Sequence, residues 1–405
     1  MKALFILVVA ASVFALKLAG QNNDSSQKPN VVLDHAASSK PSLSKDQKST
    51  ARNGYVGDVE CASCHRDKVE AFPQTAHYTT SRLAEKDSIL GKFTPDENVV
   101  KTSNPELSFR MDEKKGGFFQ TAVQGMSPYF TEHSEKFAFV VGSGGKGQTY
   151  LYWKVDQLFQ LPISYWRELG WVNSPGYRDG NANFDRPIVP RCLECHATFF
   201  DSTAPPSNQY AKDGFVLGIN CEKCHGPGRE HVRRESAHPA DLKDSAILNP
   251  AKFSRDRQGD LCAWCHAGQG VPVAPTFSYL PGQDLAKYLE LPKSDPNADL
   301  DVHGSQVELL AKSRCFQSSG MTCLTCHDVH AVQADLSAFS QRCLNCHRPE
   351  TSMFPKTHRV ESTCVECHMP KQETNLIVFD WQRKKVRPQV RNHWIKVYPA
   401  AIQPQ

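Results

Sequence analysis

The 405-residue sequence has no run of 18 apolar residues, the length that a membrane-spanning helix needs. The apolar stretch at residues 3–16 is too short, follows the basic start Met1-Lys2 and precedes Ala19-Gly20. This pattern predicts a secretory signal peptide over residues 1–20. Position 21 is glutamine rather than cysteine, so no lipid anchor is expected there. We therefore expect no stable membrane insertion and a mature protein in the periplasm or outside the cell.

Large apolar residues are also scarce in residues 21–54, which are rich in Ser, Lys, Asp, Asn and Gln. Such a segment buries too little apolar surface to offset the entropy lost on ordering. The composition predicts a flexible polar linker over residues 21–54. Residues 55–405 contain all of the cysteines and are predicted to form the functional domain.

The 15 cysteines are not scattered, because 14 of them fall into seven copies of Cys-x-x-Cys-His. Random placement at this composition would give about 0.02 copies. The remaining thiol, Cys315, is expected to be buried and inert, with a reactive thiol or an intermolecular disulfide as the alternative. The seven copies are Cys61/Cys64/His65, Cys192/Cys195/His196, Cys221/Cys224/His225, Cys262/Cys265/His266, Cys323/Cys326/His327, Cys343/Cys346/His347 and Cys364/Cys367/His368.

The spacing of this motif matches the covalent attachment of haem. Two thiols three residues apart can form thioethers with the two vinyl groups of one haem, and the next residue then places an imidazole under the iron. Zinc ribbons, iron–sulfur sites and disulfides also use cysteine pairs, but none of them requires histidine at the fifth position. The sequence therefore predicts seven c-type haems with seven proximal histidine ligands.

Nine further histidines can fill the sixth position of these irons. His330 lies three residues after His327 and cannot easily reach the far face of the haem bound there. We therefore expect it to bind the iron of a neighbouring haem. His133 and His238 are weaker candidates. The number of candidate histidines is just sufficient for seven irons. One five-coordinate iron therefore remains possible. The candidate distal ligands are His77, His231, His330, His358, His393 and His303.

The formal net charge of +4 changes once processing and cofactors are counted. Removal of Lys2 and Lys17 with the signal peptide, followed by addition of seven ferric haems with their propionates, gives about −5. The basic sequence is therefore no argument for nucleic-acid binding, and no nucleic-acid partner is expected.

One β-hairpin is readable in the cysteine-free part of the chain. Phe137, Phe139 and Val141 alternate before a glycine-rich turn at residues 142–147, and alternation resumes from Thr149. We predict a small antiparallel β element in the N-terminal half, at about 105–165. The rest is rich in Pro, Gly and Asn, with short helical pieces such as 306–314. The predicted fold is mainly α and irregular, a heptahaem cytochrome c domain over residues 55–405 organised around stacked haems.

Several stretches resemble the multihaem cytochromes of the c-554/c-552 class, including haem modules fused to tetratricopeptide repeats. The likeness covers roughly residues 55–394 and includes residues between the haem motifs. The matching stretches are Cys61-Ala-Ser-Cys-His with Thr75-Ala-His-Tyr78, Gly218-Ile-Asn-Cys-Glu-Lys-Cys-His-Gly-Pro-Gly228, Gly320-Met-Thr-Cys-Leu-Thr-Cys-His-Asp-Val-His330, Cys364-Val-Glu-Cys-His-Met-Pro370, and the hairpin from Val140 to Leu151.

The resemblance implies distal ligation by His77, His231, His330, His358 and His393. Larger relatives include nitrite reductases and hydroxylamine oxidoreductases, and the pentahaem nitrite reductases typically use Cys-x-x-Cys-Lys at the catalytic haem. All seven motifs here end in histidine. This difference weakens the assignment to a nitrite reductase.

The resulting prediction is an electron carrier that passes electrons along seven haems to other redox proteins, either cytochromes or membrane quinol-oxidising complexes. One alternative is an oxidoreductase that acts on a small nitrogen or sulfur compound, such as nitrite or hydroxylamine, at a five-coordinate haem. A second alternative is a subunit of a cytochrome filament or surface complex.

Overall fold

The computed structural model describes residues 54–237, 246–268, 270–291, 300–348 and 363–398. The predicted signal peptide and all of the predicted linker except Gly54 lie outside these ranges, as do His238 and His358. The chain is 26% helical and 29% strand, with several antiparallel sheets. The prediction of a mainly α and irregular fold is therefore wrong.

Strands extend from Ser81 to Leu217, well beyond the range of about 105–165 predicted from the sequence. The strands of this region are β1 (Ser81–Leu83), β2 (Val99–Lys101), β3 (Leu107–Lys114), β4 (Gly117–Met126), β5 (Tyr129–Lys136), β6 (Phe139–Val141), β7 (Gly147–Lys154), β8 (Gln157–Gln160), β9 (Ile163–Trp166), β10 (Gly170–Asn173), β11 (Arg186–Pro187), β12 (Ala197–Ser202) and β13 (Tyr210–Leu217).

These strands form three antiparallel sheets. The first has the order β2-β3-β4-β5. The second has seven strands, with the path β1-β6-β7-β8-β11, and β9 pairs with both β7 and β10. The third is the β12–β13 pair, which leads directly from one haem motif towards the next.

Alternating side chains explain why these segments are strands. On β3, Leu107, Phe109 and Met111 are almost fully buried while the residues between them are half-exposed. The predicted hairpin is confirmed as β6–β7, with Phe139 opposite Leu151. Successive strand side chains point to opposite faces, so each strand contributes one apolar row to the core.

The β-rich region has apolar cores made of its own side chains. One packs Phe109, Val140, Tyr150 and Ile163, among others, and a neighbouring core includes Leu158. Val140, Tyr150, Leu158 and Ile163 have no measurable solvent exposure. Side chains therefore supply the packing of the β-rich region.

The haem motifs lie on short helices that flank and follow the sheets. The α-helices are α1 (Asp58–Ala62), α2 (Arg66–Val69), α3 (Pro190–His196), α4 (Cys221–His225), α5 (Arg229–Ala237), α6 (Arg255–His266), α7 (Gln306–Ala311), α8 (Arg314–Gln317), α9 (Cys323–Cys326), α10 (Leu336–Leu344) and α11 (Cys364–His368). The 3₁₀ helices are Phe72–Gln74, Tyr78–Thr80, Pro250–Lys252 and Leu285–Lys287.

Short strands complete the C-terminal half in three antiparallel pairs, β14–β15, β16–β19 and β17–β18. They are β14 (Val271–Pro272), β15 (Leu289–Glu290), β16 (Lys371–Glu373), β17 (Phe379–Trp381), β18 (Lys384–Val386) and β19 (Gln389–Arg391). Within the described ranges, no helix combines the length and apolar character needed to cross a membrane.

The helix expected at residues 306–314 is interrupted near its end. It forms α7 and then α8, and Ser313 between them adopts an extended conformation. The Ser313 hydroxyl accepts a hydrogen bond from the backbone N–H of Ile395 at 2.8 Å. This contact fixes the C-terminal segment that contains His393.

Candidate functional site

All seven Cys-x-x-Cys-His motifs lie in described residues, and each has at least its first cysteine on a short helix. Residues three and four apart share one face of a helix, so both thiols and the following imidazole can face the same side. The backbone N–H of the histidine donates to the carbonyl of the first cysteine at 3.0 Å for His65 and at 2.9 Å for His327 and His347. We name each motif by its histidine.

The second cysteines of the first and last motifs lie at the surface. Both Cys64 and Cys367 are exposed to solvent. Two further motif thiols are also exposed, those of Cys192 and Cys346.

Local structure explains these exposed positions. Helix α1 ends at Ala62, so Cys64 lies in the turn beyond it, where its sulfur accepts a hydrogen bond from the Ser63 hydroxyl at 3.7 Å. Cys367 lies on α11, whose buried residue is Val365. A thioether retains haem by a covalent bond rather than by packing, so an exposed thiol still suits attachment. Haem attachment at Cys64 and Cys367 stays a prediction.

Four motif histidines each face a second histidine from another part of the chain. The ring centroids are 6.3 Å apart for His65 and His231, 6.2 Å for His77 and His266, 6.2 Å for His225 and His330, and 6.4 Å for His327 and His393. The ring planes are 20–26° apart in three of the pairs and 67° apart in the pair of His77 and His266.

These separations fit an iron between two imidazoles. A histidine nitrogen binds a first-row metal ion at about 2.0 Å. The ring centre lies about 1.1 Å behind that nitrogen, so two rings on opposite sides of one ion are about 6.2 Å apart. Rings in direct stacking contact would be closer, so the pairs are spaced as the two axial ligands of one haem.

His77 reaches its partner because the chain makes a close approach at Gly218. The backbone N–H of Ile219 donates to the carbonyl of His77 at 3.0 Å. A Cβ atom at Gly218 would lie 2.2 Å from the carbonyl oxygen of Tyr78, and its φ of +68° also favours glycine. The sequence around Gly218 therefore positions His77 as well as the His225 motif.

The His196 motif has a different neighbour. His303 interacts electrostatically with His196, but the two rings are not in one of the centroid contacts described above. Nδ1 of His196 lies 3.1 Å from the hydroxyl oxygen of Thr80, and Ser81 donates to the carbonyl of His196 at 2.6 Å. These contacts orient the imidazole from the side opposite Nε2.

Backbone carbonyls orient three other imidazoles in the same way. Nδ1 lies 2.8 Å from the carbonyl of Leu248 for His225, 3.0 Å from that of Lys396 for His368, and 3.2 Å from that of Arg391 for His393. A carbonyl can only accept a hydrogen bond, so Nδ1 carries the proton and Nε2 keeps its lone pair for a metal ion.

Burial keeps several of these imidazoles neutral, the form that binds iron. It lowers the pKa of His196 and of His266 to about 4. Burial also lowers the pKa of five other members of the set, namely His77, His303, His327, His330 and His393. The cause is desolvation, which penalises the protonated cation.

The remaining candidates are not brought into such pairs by the described residues. His133 is on β5, where its Nε2 lies 3.1 Å from Glu135 and its ring contacts Phe184. His358 and His238 lie outside the described ranges. Distal ligation stays a prediction for every motif, and the described residues bring no second histidine ring to the last two.

Thiols of different motifs meet at three places. Cys61 interacts electrostatically with Cys221, Cys195 with Cys265, and Cys262 with Cys323. Weaker electrostatic contacts join Cys224 to Cys262, Cys326 to Cys346 and Cys343 to Cys364. The motifs therefore form a connected array.

All 15 cysteines lie in described residues and none forms a disulfide. The half-buried Cys315 interacts electrostatically with Cys326 and Cys343.

Comparison with known proteins agrees with this geometry. The family described as "Cytochrome c554 and c-prime" matches residues 177–226, which include the His196 and His225 motifs. A curated relative, the dissimilatory sulfite reductase MccA of Wolinella succinogenes, is 22% identical over 78% of this chain and 51% of its own length. The chain thus spans about half the length of this relative.

A solved structure, the outer cell wall cytochrome OcwA, has a similar fold, with a TM-score of 0.51. It is 18% identical, and the match covers 85% of this chain and 80% of OcwA. The chain is therefore similar to multihaem c-type cytochromes. The similarity supports c-type haem as the cofactor.

Three side chains that contact the motifs were not predicted from the sequence. Thr80 orients His196, while Glu222 and Lys223, the two middle residues of the His225 motif, contact other motifs. The middle positions of a Cys-x-x-Cys-His motif have no required residue type. Their contacts depend on how distant segments pack, so the sequence pattern contains no signal for them.

Proposed function

We propose that this protein holds seven covalently attached haems and passes electrons along them in the periplasm or outside the cell. The observation that supports the proposal most strongly is the set of four histidine pairs at 6.2–6.4 Å. When bound, haem iron accepts and releases one electron at a time. The chain supplies attachment, orientation and electrostatic tuning.

Each cysteine pair would hold one porphyrin, and the motif histidine would be its proximal ligand. The pairing of rings assigns His231 to the His65 motif, His330 to the His225 motif, His77 to the His266 motif and His393 to the His327 motif. His303 is the candidate for the His196 motif. His358, which follows the His347 motif closely in sequence, remains the candidate for one of the last two irons.

The contacts between thiols suggest an order for the array. They join the His65 motif to the His225 motif, which adjoins the His266 motif. From there the contacts continue through the His327 and His347 motifs to the His368 motif. The His196 motif joins at the His266 motif as a side branch. Both ends of this order can serve as entry or exit points for redox partners.

The exposed thiols of Cys64 and Cys367 belong to the two end motifs of this order. Haems attached there would have edges near the surface, where a partner protein can approach closely. The partners would be other redox proteins, either cytochromes or membrane quinol-oxidising complexes. The mature protein would start near residue 21, after removal of the predicted signal peptide.

Electron paramagnetic resonance of the oxidised protein tests the paired ligation. The spectrum of a low-spin ferric haem depends on the angle between its two axial imidazoles. The large angle of the His77 and His266 pair predicts a signal at higher g value than the near-parallel pairs give. His77→Ala should abolish that signal and leave the others. Persistence of the high-g signal in His77→Ala would contradict the assignment.

A second candidate function is oxidoreduction of a small nitrogen or sulfur compound at an iron with an open sixth position. The observation that favours it is the similarity to a protein named as a dissimilatory sulfite reductase. Turnover of sulfite, nitrite or hydroxylamine by the purified protein, measured with a reduced electron donor, distinguishes this function from pure electron transfer.

A further inference from the structure

The two middle residues of the His225 motif have opposite charges and different surroundings. Glu222 is 2% exposed, and its carboxylate accepts hydrogen bonds from the backbone N–H groups of Val56, Gly57 and Gly228 at 2.8–2.9 Å. Burial raises the pKa of Glu222, and the three donors oppose this rise because each offers a partial positive charge to the ionised carboxylate.

Acidic groups surround the thiol contact between the His65 and His225 motifs. Both Cys61 and Cys221 interact electrostatically with Glu222 and Asp58. Asp58 is 1% exposed and accepts a hydrogen bond from the hydroxyl of Tyr78. The first step of the proposed array therefore lies in a negative environment.

Cationic groups surround the thiol contact between the His196 and His266 motifs. Lys223 is half-buried, with its Nζ 3.5 Å from the carbonyl oxygen of Thr198 and 5.4 Å from the centre of the Phe277 ring. It interacts electrostatically with Cys195 and Cys265. Burial lowers the pKa of Lys223, whereas both thiols and Glu194 oppose this shift, and the protonated amine acts on these two motifs.

Arg191 adds a second cation at the same place. Its guanidinium lies over the ring of Trp264 at 4.6 Å, and it interacts electrostatically with Cys195 and Cys265. The acidic group beside them is Glu194, whose Oε2 lies 3.5 Å from Nη1 of Arg191. When Lys223, Arg191 and Glu194 are all ionised, the net charge around this thiol contact is positive.

We propose that Glu222 and Lys223 create a potential step across the array, so that electrons are drawn from the His65 haem towards the His196 and His266 haems. A cation near an iron stabilises the reduced form, which is less positive than the oxidised form, and an anion does the opposite. The low dielectric around buried charges strengthens both effects. The inference rests on the proposed function, because it requires haems at these motifs.

Lys223→Met tests the positive side of the step. It removes the charge at similar side-chain length, so the midpoint potential of the high-g signal assigned to the His77 and His266 pair should fall in an EPR-monitored redox titration. Lys223→Arg should restore the potential. Lys212→Met is the matched control, because Lys212 is exposed and contacts Trp153 on β7. The redox titration of this variant should match that of the wild-type protein.

Glu222→Gln tests the negative side and should raise a midpoint potential among the near-parallel signals. A general loss of packing would not shift the midpoint potentials in opposite directions when the adjacent residues Glu222 and Lys223 are substituted. If Lys223→Met retains the wild-type haem content but its titration is unchanged, or if all haems shift equally, the inference is overturned and the proposed function stands. A wild-type protein without haem would instead overturn the proposed function.

Discussion

The ring of His330 lies 6.2 Å from the ring of His225, although the motif nearest to it in sequence ends at His327. The backbone N–H of His330 donates to Asp328 at 3.0 Å, which turns the chain directly after the His327 motif. His393, more than 60 residues later, is paired with His327. A histidine that follows one motif is therefore paired with the histidine of another motif, and these pairs bring distant parts of the chain together.

The pairing of His330 with His225 predicts which haem changes when His330 is replaced. His330→Ala should leave every haem attached but make the haem of the His225 motif five-coordinate, because only its distal ligand is lost. A high-spin signal and carbon monoxide binding should appear. Resonance Raman spectroscopy of the ferric and carbon monoxide forms would measure both effects.

His133→Ala is the matched control, because His133 is on the exposed strand β5 and contacts Glu135. It should keep the wild-type low-spin spectrum. An unchanged low-spin spectrum in His330→Ala would remove His330 from the set of ligands.

The β-rich region should stabilise the protein independently of the haems. Leu158→Ala deletes a fully buried side chain and should lower the free energy of unfolding by about 2–5 kcal/mol. Urea titration followed by far-ultraviolet circular dichroism measures this loss. Val99→Ala, at a half-exposed position on β2, should change the free energy by less than about 1 kcal/mol. Equal effects of the two substitutions would contradict the packing described here.

The sequence allowed good prediction of chemistry and poor prediction of architecture. The motif residues are adjacent in the chain, so their spacing alone predicts thioether attachment and a proximal ligand. The β6–β7 hairpin was found because Phe139 and Val141 alternate on both sides of a glycine-rich turn. β5 was not identified as a separate strand because nearly all of its side chains are exposed and no alternation marks it. The exposure of Cys64 and Cys367 was missed because the motif pattern is the same for exposed and buried thiols.

The partners of the distal histidines could not be predicted for a different reason. His231 faces His65 across more than 160 residues of chain, and His303 approaches His196 across more than 100. Such pairs depend on how the sheets place the helices, and a single sequence does not encode these distances in any local pattern. The same reason explains why Thr80 and Lys223 were missed.

The four paired sites predict irons that carry electrons and bind no substrate. An iron with imidazoles on both faces has no free position for nitrite, hydroxylamine or sulfite. The reduced protein should exchange electrons rapidly with another cytochrome in stopped-flow measurements. Sustained, haem-dependent consumption of one of these compounds by pure protein would contradict the carrier assignment and favour the second candidate function.

The most direct test of the central claim is the number of haems per chain after expression with a c-type maturation system. Seven intact Cys-x-x-Cys-His motifs predict seven haems, each covalently bound through two thioethers. Quantifying haem by the pyridine haemochrome method against protein mass, with an intact-mass measurement of the same sample, gives this number. The expected result is seven haems that stay attached under denaturing conditions. A reproducible value of five or fewer, or haem that is released on denaturation, would contradict it.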